Sequence, residues 1–412
     1  MDDSRAAIDF RNRYAAKTDH LVVGLMSGTS LDGVDAALVR IMTGADGAGS
    51  VSSVTLLHHS YIPYSEEMRA LVATLCSPAT ARIDDLTYLH FGVSEWYAAA
   101  VDLVLRESGR RAAEIDAISM HGQTVWHAPQ PRSFPGPNGA VSVKGTLQLG
   151  SSAVLRERTG IPVIADHRSR DMAAGGEGAP LAPYIDALLF GSPDAGVVVQ
   201  NIGGIGNATI IPVGASNEGV FAFDTGPGNM VIDAVVAEGS KGALRFDEGG
   251  ALAAAGEVSE AMVAELMADP YFARRPPKST GREVYGTAFA VSLIAEAKRR
   301  GLSFEDRVAT ATAFTAESIA KAMRDFVLPT TPVSRLLAAG GGALNLSLLR
   351  MIGERLPPGI RIATTAAFGV PDQAREAMAF ALIGHESLMG RPANLPAVTG
   401  ARHAVVLGTL TL

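Results

Sequence analysis

The chain has 412 residues, of which 47% are hydrophobic and 19% charged, and its formal net charge at pH 7 is −7. This length exceeds what one hydrophobic core usually serves, so it predicts two domains, and the ordinary composition excludes extensive disorder. The net negative charge argues against a basic surface for binding nucleic acid. The single cysteine, Cys76, excludes an intramolecular disulfide and a thiolate metal cluster.

The first 20 residues carry charges throughout and lack the apolar centre of a secretory signal. They predict a loosely held N-terminal extension. No run of about 18 uncharged apolar residues follows, so the sequence predicts no membrane-spanning helix. We therefore expect a cytoplasmic protein without membrane association.

The first predicted element is a strand–turn–strand unit. Residues 21–26 and 34–41 have strand character, and SGTSLDG separates them. No lysine follows the glycines, which excludes a P-loop. Backbone N–H groups and small hydroxyls at the tip could face a ligand, with Asp32 or Asp35 near a metal, although a polar tip can equally be only a turn.

A strand at residues 115–120 is predicted to end in the polar quartet HGQT. Open α/β sheets bind ligands at the carboxyl ends of strands, although His121 could equally be a buried structural histidine. Residues 128–145 contain four prolines and three glycines and predict a surface loop. The preceding stretches predict a strand and two helices, at residues 54–60, 65–75 and 83–106.

A strand at residues 161–165 leads into DHRSRDMAAGGEGAPLAP. Arg168 and Arg170 suit a carboxylate or a phosphate, because a guanidinium group forms bidentate pairs with both. The alternative is a salt-bridged surface loop.

A second strand–turn–strand unit occupies residues 197–213. The apolar run 220–223 then delivers Asp224, and TGPGN opens a predicted helix. A carboxylate beside a glycine turn and a helix N-terminus is typical of a site that holds phosphates and removes a proton. The repetition suggests two related α/β domains that face a cleft.

Two further motifs follow. PPKSTGRE at residues 276–283 can be a solvated loop or part of a site. A strand at residues 335–339 runs into GGGALN, whose glycines would let a flat molecule such as a nucleoside approach the backbone. Another strand at 360–364 and a helix at 372–388, which carries Glu376, complete the pattern.

These motifs resemble the anhydro-N-acetylmuramic acid kinase family, in the same order along nearly the whole chain. They are GLMSGTSLDGVD, HGQTVWH, LQLG, DHRSRDMAAGGEGAPLAP, NIGGIGNAT, FDTGPGN, PKSTGRE, GGGALN and NLPAVTGA.

The resemblance implies an α/β, two-domain actin-like ATPase (sugar kinase) fold with mixed sheets and a central ATP/sugar cleft. We expect an extension at residues 1–20, domain I at 21–145 plus about 366–412, and domain II at about 146–365. The implied reaction opens the 1,6-anhydro ring by hydrolysis and transfers the ATP γ-phosphate to O6, a step of peptidoglycan recycling. Mg²⁺ held mainly by nucleotide phosphates, few or no protein metal ligands, and a homodimer are also implied.

The same resemblance assigns roles to individual residues. Asp224 is expected to be the catalytic base, and Thr124, Arg170 and Glu376 are expected to contact the sugar. The expected nucleotide-binding residues are Gly28, Thr29, Ser30, Leu31, Asp32, Gly33, Val34, Asp35, Gly203, Gly204, Asn207, Gly226, Gly228, Asn229, Gly340, Gly341, Gly342 and Asn345. The alternatives are another sugar or acetate kinase of the same fold and a non-catalytic actin-like sugar sensor.

Overall fold

The structure is a computed structural model that describes residues 3–44, 49–214 and 219–412. Residues 1–2 of the expected extension, 45–48 of domain I and 215–218 of domain II lie outside the described residues. The chain divides into unit 1, formed by Met1–Leu189 and Gly369–Leu412, and unit 2, formed by Phe190–Phe368.

The described residues form the following strands: β1 (Asp19–Ser27), β2 (Gly33–Thr43), β3 (Val51–Pro63), β4 (Ala117–Gly136), β5 (Gly139–Leu149), β6 (Val163–Ala165), β7 (Val197–Ile202), β8 (Ile205–Ile211), β9 (Phe221–Pro227), β10 (Arg335–Ala339), β11 (Arg361–Thr364) and β12 (Thr409–Thr411). They also form the following helices: α1 (Asp3–Ala15), α2 (Glu66–Leu75), α3 (Ile83–Ser108), α4 (Ser152–Thr159), α5 (Ser169–Ala173), α6 (Ala182–Phe190), α7 (Asn229–Gly239), α8 (Ala251–Ala255), α9 (Glu260–Leu266), α10 (Pro270–Ala273), α11 (Arg282–Tyr285), α12 (Thr287–Arg299), α13 (Phe304–Ala322), α14 (Leu346–Arg355), α15 (Asp372–Leu388) and α16 (Pro396–Thr399). Within these ranges, no helix combines the length and the apolar character needed to cross a bilayer.

Unit 1 is built on a seven-stranded mixed sheet with the order β12-β6-β4-β1-β2-β3, in which β5 also pairs with β4. Helix α3 contributes to a core that includes Leu25, Tyr97 and Ile118, all fully buried. Helix α15 packs against β1 so closely that a Cβ atom on Gly24 would lie 1.9 Å from the carbonyl oxygen of Ala377. Only glycine allows this approach, which brings the first turns of α15 beside β1.

The structure places residues 146–189 in unit 1, whereas the sequence analysis assigned them to domain II. Strand pairing is the physical reason. Strand β5 pairs with β4 along most of its length, and β6 extends the same sheet through Ile118 opposite Val163.

Residues 128–145 are a two-stranded ribbon and not a loop, so that prediction is wrong. Strands β4 and β5 stay paired to Gly136 opposite Gly139. The ribbon is largely exposed, including Phe134 and Val141 at 49% and 43% exposure. Proline lacks the backbone N–H that a central strand needs for pairing with its neighbours. In an exposed two-stranded ribbon each strand has one unpaired edge, and proline is tolerated there. The quartet HGQT therefore lies within β4 and not at its end.

The N-terminal extension is helical and docked, so its description as loosely held is also wrong. Tyr14 of α1 is 3% exposed, and its hydroxyl lies at a hydrogen-bond distance of 2.8 Å from Nδ1 of His385 in α15. Arg11 donates to the carbonyl of Ser387. The helix is held by this one face while its charged residues remain in solvent.

Unit 2 contains a five-stranded sheet with the order β11-β10-β7-β8-β9. Strands β7, β10 and β11 are parallel, whereas β7, β8 and β9 form an antiparallel meander that ends at the edge strand β9. Helix α13 lies in the core of this unit, where Phe314 and Ile319 are fully buried. Unit 1 and unit 2 are thus both α/β with mixed sheets, as the sequence predicted.

Candidate active site

The turn between β1 and β2 is held in place by a network of hydrogen bonds among buried side chains. The hydroxyl of Ser27 donates to Oε1 of Gln123 at 2.5 Å and lies 2.7 Å from the hydroxyl of Tyr64. Nε2 of Gln123 donates to the carbonyl of Gly28 at 2.9 Å. Gln123 is fully buried. The turn is therefore a supported structure, which favours a binding role over that of an ordinary surface turn.

The expected nucleotide-binding residues of this turn differ in exposure. Thr29, Ser30 and Asp32 are exposed, whereas Gly33 and Val34 are buried in β2. Leu31 has a φ of 58°, a left-handed conformation that is strained for a leucine and is typical of functional turns. These features leave the exposed part of the turn as the part that can meet a ligand.

The two carboxylates of the turn have different partners. Oδ1 of Asp32 accepts a hydrogen bond of 2.6 Å from the Ser30 hydroxyl, and Oδ1 of Asp35 lies 2.9 Å from Nε2 of His59. Asp32 is exposed and Asp35 is half-buried. Of the two, Asp32 is the carboxylate more available to a cation, and the described residues contain no cluster of three or more metal-ligating side chains.

The arginines after β6 lie in different environments. Nε of Arg168 donates to Nε2 of His121 at 2.9 Å, and its Nη1 donates to the carbonyl of Gly178 at 2.7 Å. Arg170 is exposed in α5, and its side chain has no hydrogen bond or ion pair with any described residue. Arg168 therefore braces the segment, and Arg170 is free to bind an anion.

The loop that carries these arginines is anchored through Asp171, which is fully buried. Its carboxylate accepts hydrogen bonds from Nδ2 of Asn394 at 2.6 Å, from the hydroxyl of Thr399 at 2.7 Å and from the N–H of Gly178 at 2.8 Å. A buried carboxylate with three donors is a rigid anchor. The alternative of a salt-bridged surface loop does not fit this geometry.

Glu376 lies in the second turn of α15. The helix start is fixed by its neighbour Arg375, whose Nη2 lies 2.6 Å from Oδ1 of the buried Asp186. Glu376 keeps an exposed area, yet desolvation by the surrounding protein raises its pKa, and the charge of Asp35 raises it further. The charges of Arg375 and Arg168 act in the opposite direction. The charges that act on Glu376 thus come from β2, from the segment after β6 and from α15 itself.

Thr124, the third expected sugar contact, is half-buried on β4 opposite Gln148 of β5. Its hydroxyl accepts a long hydrogen bond of 3.4 Å from Nε2 of Gln148. A cavity of about 370 Å³ in unit 1 is lined by Gln148 and also by Gly122 and Ser169. Thr124 itself does not line this cavity.

Asp224 lies within β9 of unit 2, and not at a strand end as the sequence predicted. Its Oδ2 accepts a hydrogen bond of 2.9 Å from the N–H of Thr280. Its Oδ1 accepts none from any described residue. Burial raises the pKa of Asp224, against the lowering effect of the Thr280 N–H, and the charge of Glu283 raises it further. One carboxylate oxygen is thus fixed, and the other is available to accept a proton.

The carbonyls of the glycine turn between β7 and β8 accept hydrogen bonds from the N-terminus of α7, which the sequence did not predict. The N–H groups of Gly228 and Asn229 donate to the carbonyls of Gly204 and Gly203 at 2.9 and 2.7 Å. The N–H of Met230 also donates to Gly204, at 3.3 Å. These donors are satisfied within the chain, so they are not free to hold a phosphate.

The remaining expected nucleotide-binding residues of this region line the same meander. Asn207 is half-buried and lies opposite Asp224 in the β8–β9 pairing. Gly226 is buried with a φ of 143°, and a Cβ atom there would lie 2.9 Å from the Phe272 ring. Packing within unit 2 is therefore sufficient to explain this glycine.

The GGGALN segment packs against the end of β7. A Cβ atom on Gly340 would lie 2.7 Å from the carbonyl oxygen of Ile202, and one on Gly342 would lie 2.3 Å from its side chain. Asn345 caps α14 by accepting a hydrogen bond from the N–H of Leu348 at 2.9 Å. Of the predicted residues in this segment, Gly341 alone is exposed, so it is the one that a flat ligand could approach.

The comparisons with known proteins agree on one family. The sequence pattern of the anhydro-N-acetylmuramic acid kinase family matches residues 20–412. A protein of that name from Caldanaerobacter subterraneus subsp. tengcongensis is 43% identical over 400 residues, which cover 97% of this chain and 99% of the relative. Another, from Salinibacter ruber, is 43% identical over 391 residues, which cover 95% and 96%. This chain belongs to the anhydro-N-acetylmuramic acid kinase family.

Solved structures give weaker likenesses to this member of the anhydro-N-acetylmuramic acid kinase family. Component A of (R)-2-hydroxyglutaryl-CoA dehydratase from Acidaminococcus fermentans is 12% identical, with a TM-score of 0.42 over 90% of this chain and 99% of that chain. A likeness of that size carries no argument about this chain.

Three residues that support the predicted site residues of this anhydro-N-acetylmuramic acid kinase family member, two in unit 1 and one in unit 2, escaped the sequence analysis as individuals. Gln123 and Asp171 lie inside motifs that were noted, but only their complete burial shows that they support the motifs. Tyr271 lies in no motif, and its hydroxyl donates to the carbonyl of Asp224 at 2.6 Å. A contact between residues 47 positions apart leaves no signal in a single sequence.

Proposed function

We propose that this protein is an ATP-dependent anhydro-N-acetylmuramic acid kinase. The reaction consumes ATP, water and 1,6-anhydro-N-acetylmuramic acid and yields ADP and N-acetylmuramic acid 6-phosphate. The observation that carries the proposal is the family membership over residues 20–412, together with a half-buried Asp224 that keeps one carboxylate oxygen available. In a bacterium, this reaction belongs to the recycling of peptidoglycan fragments.

The proposed chemistry places Asp224 as the general base. Its Oδ1 accepts a proton from a water molecule, the water oxygen bonds to the anomeric carbon, and the C1–O6 bond breaks with its electron pair moving to O6. O6 then attacks the γ-phosphorus, and ADP leaves. General base catalysis contributes roughly 10²–10⁴-fold to such a step, and correct placement of the water adds to it.

The sugar contacts are proposed from unit 1. Arg170 offers an exposed guanidinium without an internal partner, which suits the lactyl carboxylate of the sugar. Glu376 and Thr124 offer a carboxylate and a hydroxyl, which can hydrogen-bond sugar hydroxyl and amide groups. The bracing of α5 by Asp171 and of α15 by Arg375 keeps these side chains on rigid elements.

The phosphates of the nucleotide are proposed to meet the β1–β2 turn of unit 1. The exposed residues 29, 30 and 32 offer backbone and hydroxyl donors for phosphates. Mg²⁺, if bound with the nucleotide, would be held by phosphate oxygens and water, with the exposed carboxylate of Asp32 as the protein group that fits it. The ion would neutralise the charge that develops on the phosphates.

Three further properties are part of the proposal because the family resemblance implies them. They are a homodimeric state, a cytoplasmic location and the use of Mg²⁺. Sedimentation analysis of the purified protein checks the first, and activity after treatment with EDTA followed by Mg²⁺ addition checks the third.

Product analysis in ¹⁸O-water tests the function. Incubation with ATP, Mg²⁺ and the anhydro sugar should place one ¹⁸O atom at the anomeric carbon and a phosphate on O6, both readable by mass spectrometry. Turnover of glucose or acetate without turnover of the anhydro sugar would instead identify a different kinase.

The variant Asp224→Asn tests the base. It removes the proton acceptor while keeping an oxygen for the Thr280 N–H, so it should fold, bind nucleotide and lose turnover by more than roughly 10³-fold. Because burial raises the pKa of Asp224, the wild-type kcat should fall on the acidic side at a higher pH than an ordinary aspartate would give. Substantial activity of the variant would move the base to another residue.

A further inference from the structure

Asp224 lies at a position where the sheet alone does not fix its orientation. Strand β9 is the edge of the five-stranded sheet, and the pairing with β8 shifts between Gly206 opposite Gly226 and Asn207 opposite Asp224. Thr225 is therefore an extra residue, which makes a β-bulge directly beside the carboxylate. A bulge bends its strand and redirects nearby side chains, and an edge strand leaves half of its backbone groups without a strand partner.

The segment 271–280 provides the missing partners. The N–H of Asp224 donates to the carbonyl of Lys278 at 3.1 Å, and its carbonyl accepts a hydrogen bond of 2.6 Å from the Tyr271 hydroxyl. The N–H of Thr280 holds Oδ2. One segment thus holds the backbone donor, the backbone acceptor and one carboxylate oxygen of the proposed base.

Tyr271 is in turn held by the same segment. Nζ of Lys278 donates to the carbonyl of Tyr271 at 3.3 Å. It also lies 4.5 Å from the centre of the Tyr271 ring and 4.8 Å from that of Phe326, which are cation–π distances. Lys278 is 6% exposed, and burial lowers its pKa to about 8. A buried lysine between two rings fixes the ring of Tyr271 and so the direction of its hydroxyl.

We propose that Tyr271 is a positioning residue for Asp224, acting through the backbone carbonyl that its hydroxyl holds. The proposal rests on the proposed function, because it assigns Tyr271 to the geometry of that reaction. With the backbone and Oδ2 fixed, Oδ1 points in one direction, where it can accept the proton of the attacking water. Without the phenolic hydroxyl of Tyr271, the bulge in β9 is free to shift. The carboxylate of Asp224 then adopts several orientations.

The chain offers a matched control in Tyr285. Both tyrosines belong to one aromatic cluster, with ring centres 5.9 Å apart, and both are buried. The hydroxyl of Tyr285 has no hydrogen-bond partner among the described residues. Removal of this hydroxyl breaks no hydrogen bond with any described residue, so it leaves the contact between Tyr271 and Asp224 intact.

The test compares Tyr271→Phe with Tyr285→Phe in the full-length protein. We expect Tyr271→Phe to lower kcat by about 10- to 100-fold with KM for the sugar within about 2-fold, because misplacement affects the transition state more than ground-state binding. Tyr285→Phe should keep the wild-type kcat and thermal midpoint. Equal kcat values for the two variants would overturn the proposal.

A second variant separates positioning from a general loss of structure. In the Asp224→Asn background, Tyr271→Phe should cause no further loss of the residual rate, because a residue that acts through Asp224 has nothing left to position. A further loss of 10-fold or more would overturn the proposal by showing that Tyr271 acts independently of the base.

The outcomes also separate this proposal from the proposed function. Wild-type turnover that is lost in Asp224→Asn but retained in Tyr271→Phe leaves the function standing and overturns the positioning role. If the wild-type protein forms no phosphosugar, crystal structures of the two phenylalanine variants decide. A displaced Asp224 carboxylate in Tyr271→Phe alone supports the positioning role, and an unmoved one overturns it.

Discussion

Arg168 and Arg170 stand two residues apart in one motif, yet their surroundings give them different tasks. Arg168 donates to His121 and to the carbonyl of Gly178, whereas Arg170 is exposed without an internal partner among the described residues. A guanidinium that is already hydrogen-bonded within the fold supports the structure, whereas one without an internal partner remains available to a ligand. The sequence pattern indicates an anion site here but cannot tell which arginine is free, because that depends on the direction of each side chain.

The substitution Arg170→Ala should raise KM for the anhydro sugar by about 10- to 100-fold, because a charge-assisted hydrogen bond is worth about 1.5–3 kcal/mol. A substrate analogue that lacks the lactyl carboxylate should show almost the same KM with the variant and with the wild-type protein. Steady-state kinetics with both sugars measure this difference. Arg158→Ala, which removes an exposed ion pair with Glu95, is the control and should change neither value. An equal effect of Arg170→Ala on both sugars would contradict the assignment.

At the scale of single elements, α1 and the end of α15 share a buried cluster that contains two neutral histidines. His20 and His385 are both fully buried, with ring centres 4.9 Å apart, and the hydroxyl of Tyr14 is hydrogen-bonded to Nδ1 of His385. Burial lowers the pKa of His385 to about 3, and it also lowers the pKa of His20. Protonation of either imidazole must therefore oppose the docking of α1.

This burial predicts a loss of stability in acid. The folded pKa of His385 is depressed, so the unfolded chain binds one more proton between its ordinary value of about 6.5 and the folded value of about 3. As the pH decreases through that window, the free energy of unfolding of the wild type should fall more steeply than that of His385→Gln. The difference in slope should reach up to about 1.4 kcal/mol per pH unit. Glutamine keeps a hydrogen-bonding group for Tyr14, as donor or acceptor, but does not titrate. Denaturant unfolding at several pH values measures the slopes, with the exposed His403→Gln as the control. Parallel slopes for the wild type and His385→Gln would refute the prediction.

The elements that the sequence predicted best are those whose pattern is local. Alternating and apolar runs predicted the strands of both strand–turn–strand units, and the helix predicted at 372–388 is α15 with its Glu376. The ribbon at 128–145 was missed although its pairing is local, because its prolines and glycines are also typical of loops. The docking of α1 was missed because it depends on packing against residues far away in the sequence. The α7 N-terminus was assigned to phosphates for the same reason, since the carbonyls that satisfy it belong to another turn.

At the scale of the whole molecule, each unit has a sheet and a core of its own. Unit 2 is one continuous stretch of chain, Phe190–Phe368, and its aromatic cluster around Phe314 is completed by Phe272, Tyr285 and Phe289 from the same stretch. Unit 1 is assembled from two stretches, because β12 returns to pair with β6 and α15 packs on β1. The composition predicted two domains, but the point at which the chain returns to the first sheet depends on strand pairing that a single sequence does not display.

A fragment of residues 190–368 should therefore fold on its own, because the strands, the helices and the buried aromatic cluster of unit 2 all lie within it. We expect a single cooperative thermal transition by circular dichroism at both far- and near-ultraviolet wavelengths, since native packing around Tyr271 and Tyr285 gives a near-ultraviolet signal. The substitution Phe314→Asp, which places a charge at a fully buried position, should abolish both the transition and that signal in the fragment. A fragment with helical far-ultraviolet signal but no near-ultraviolet signal and no cooperative transition would show that unit 2 needs the rest of the chain to reach its packed state.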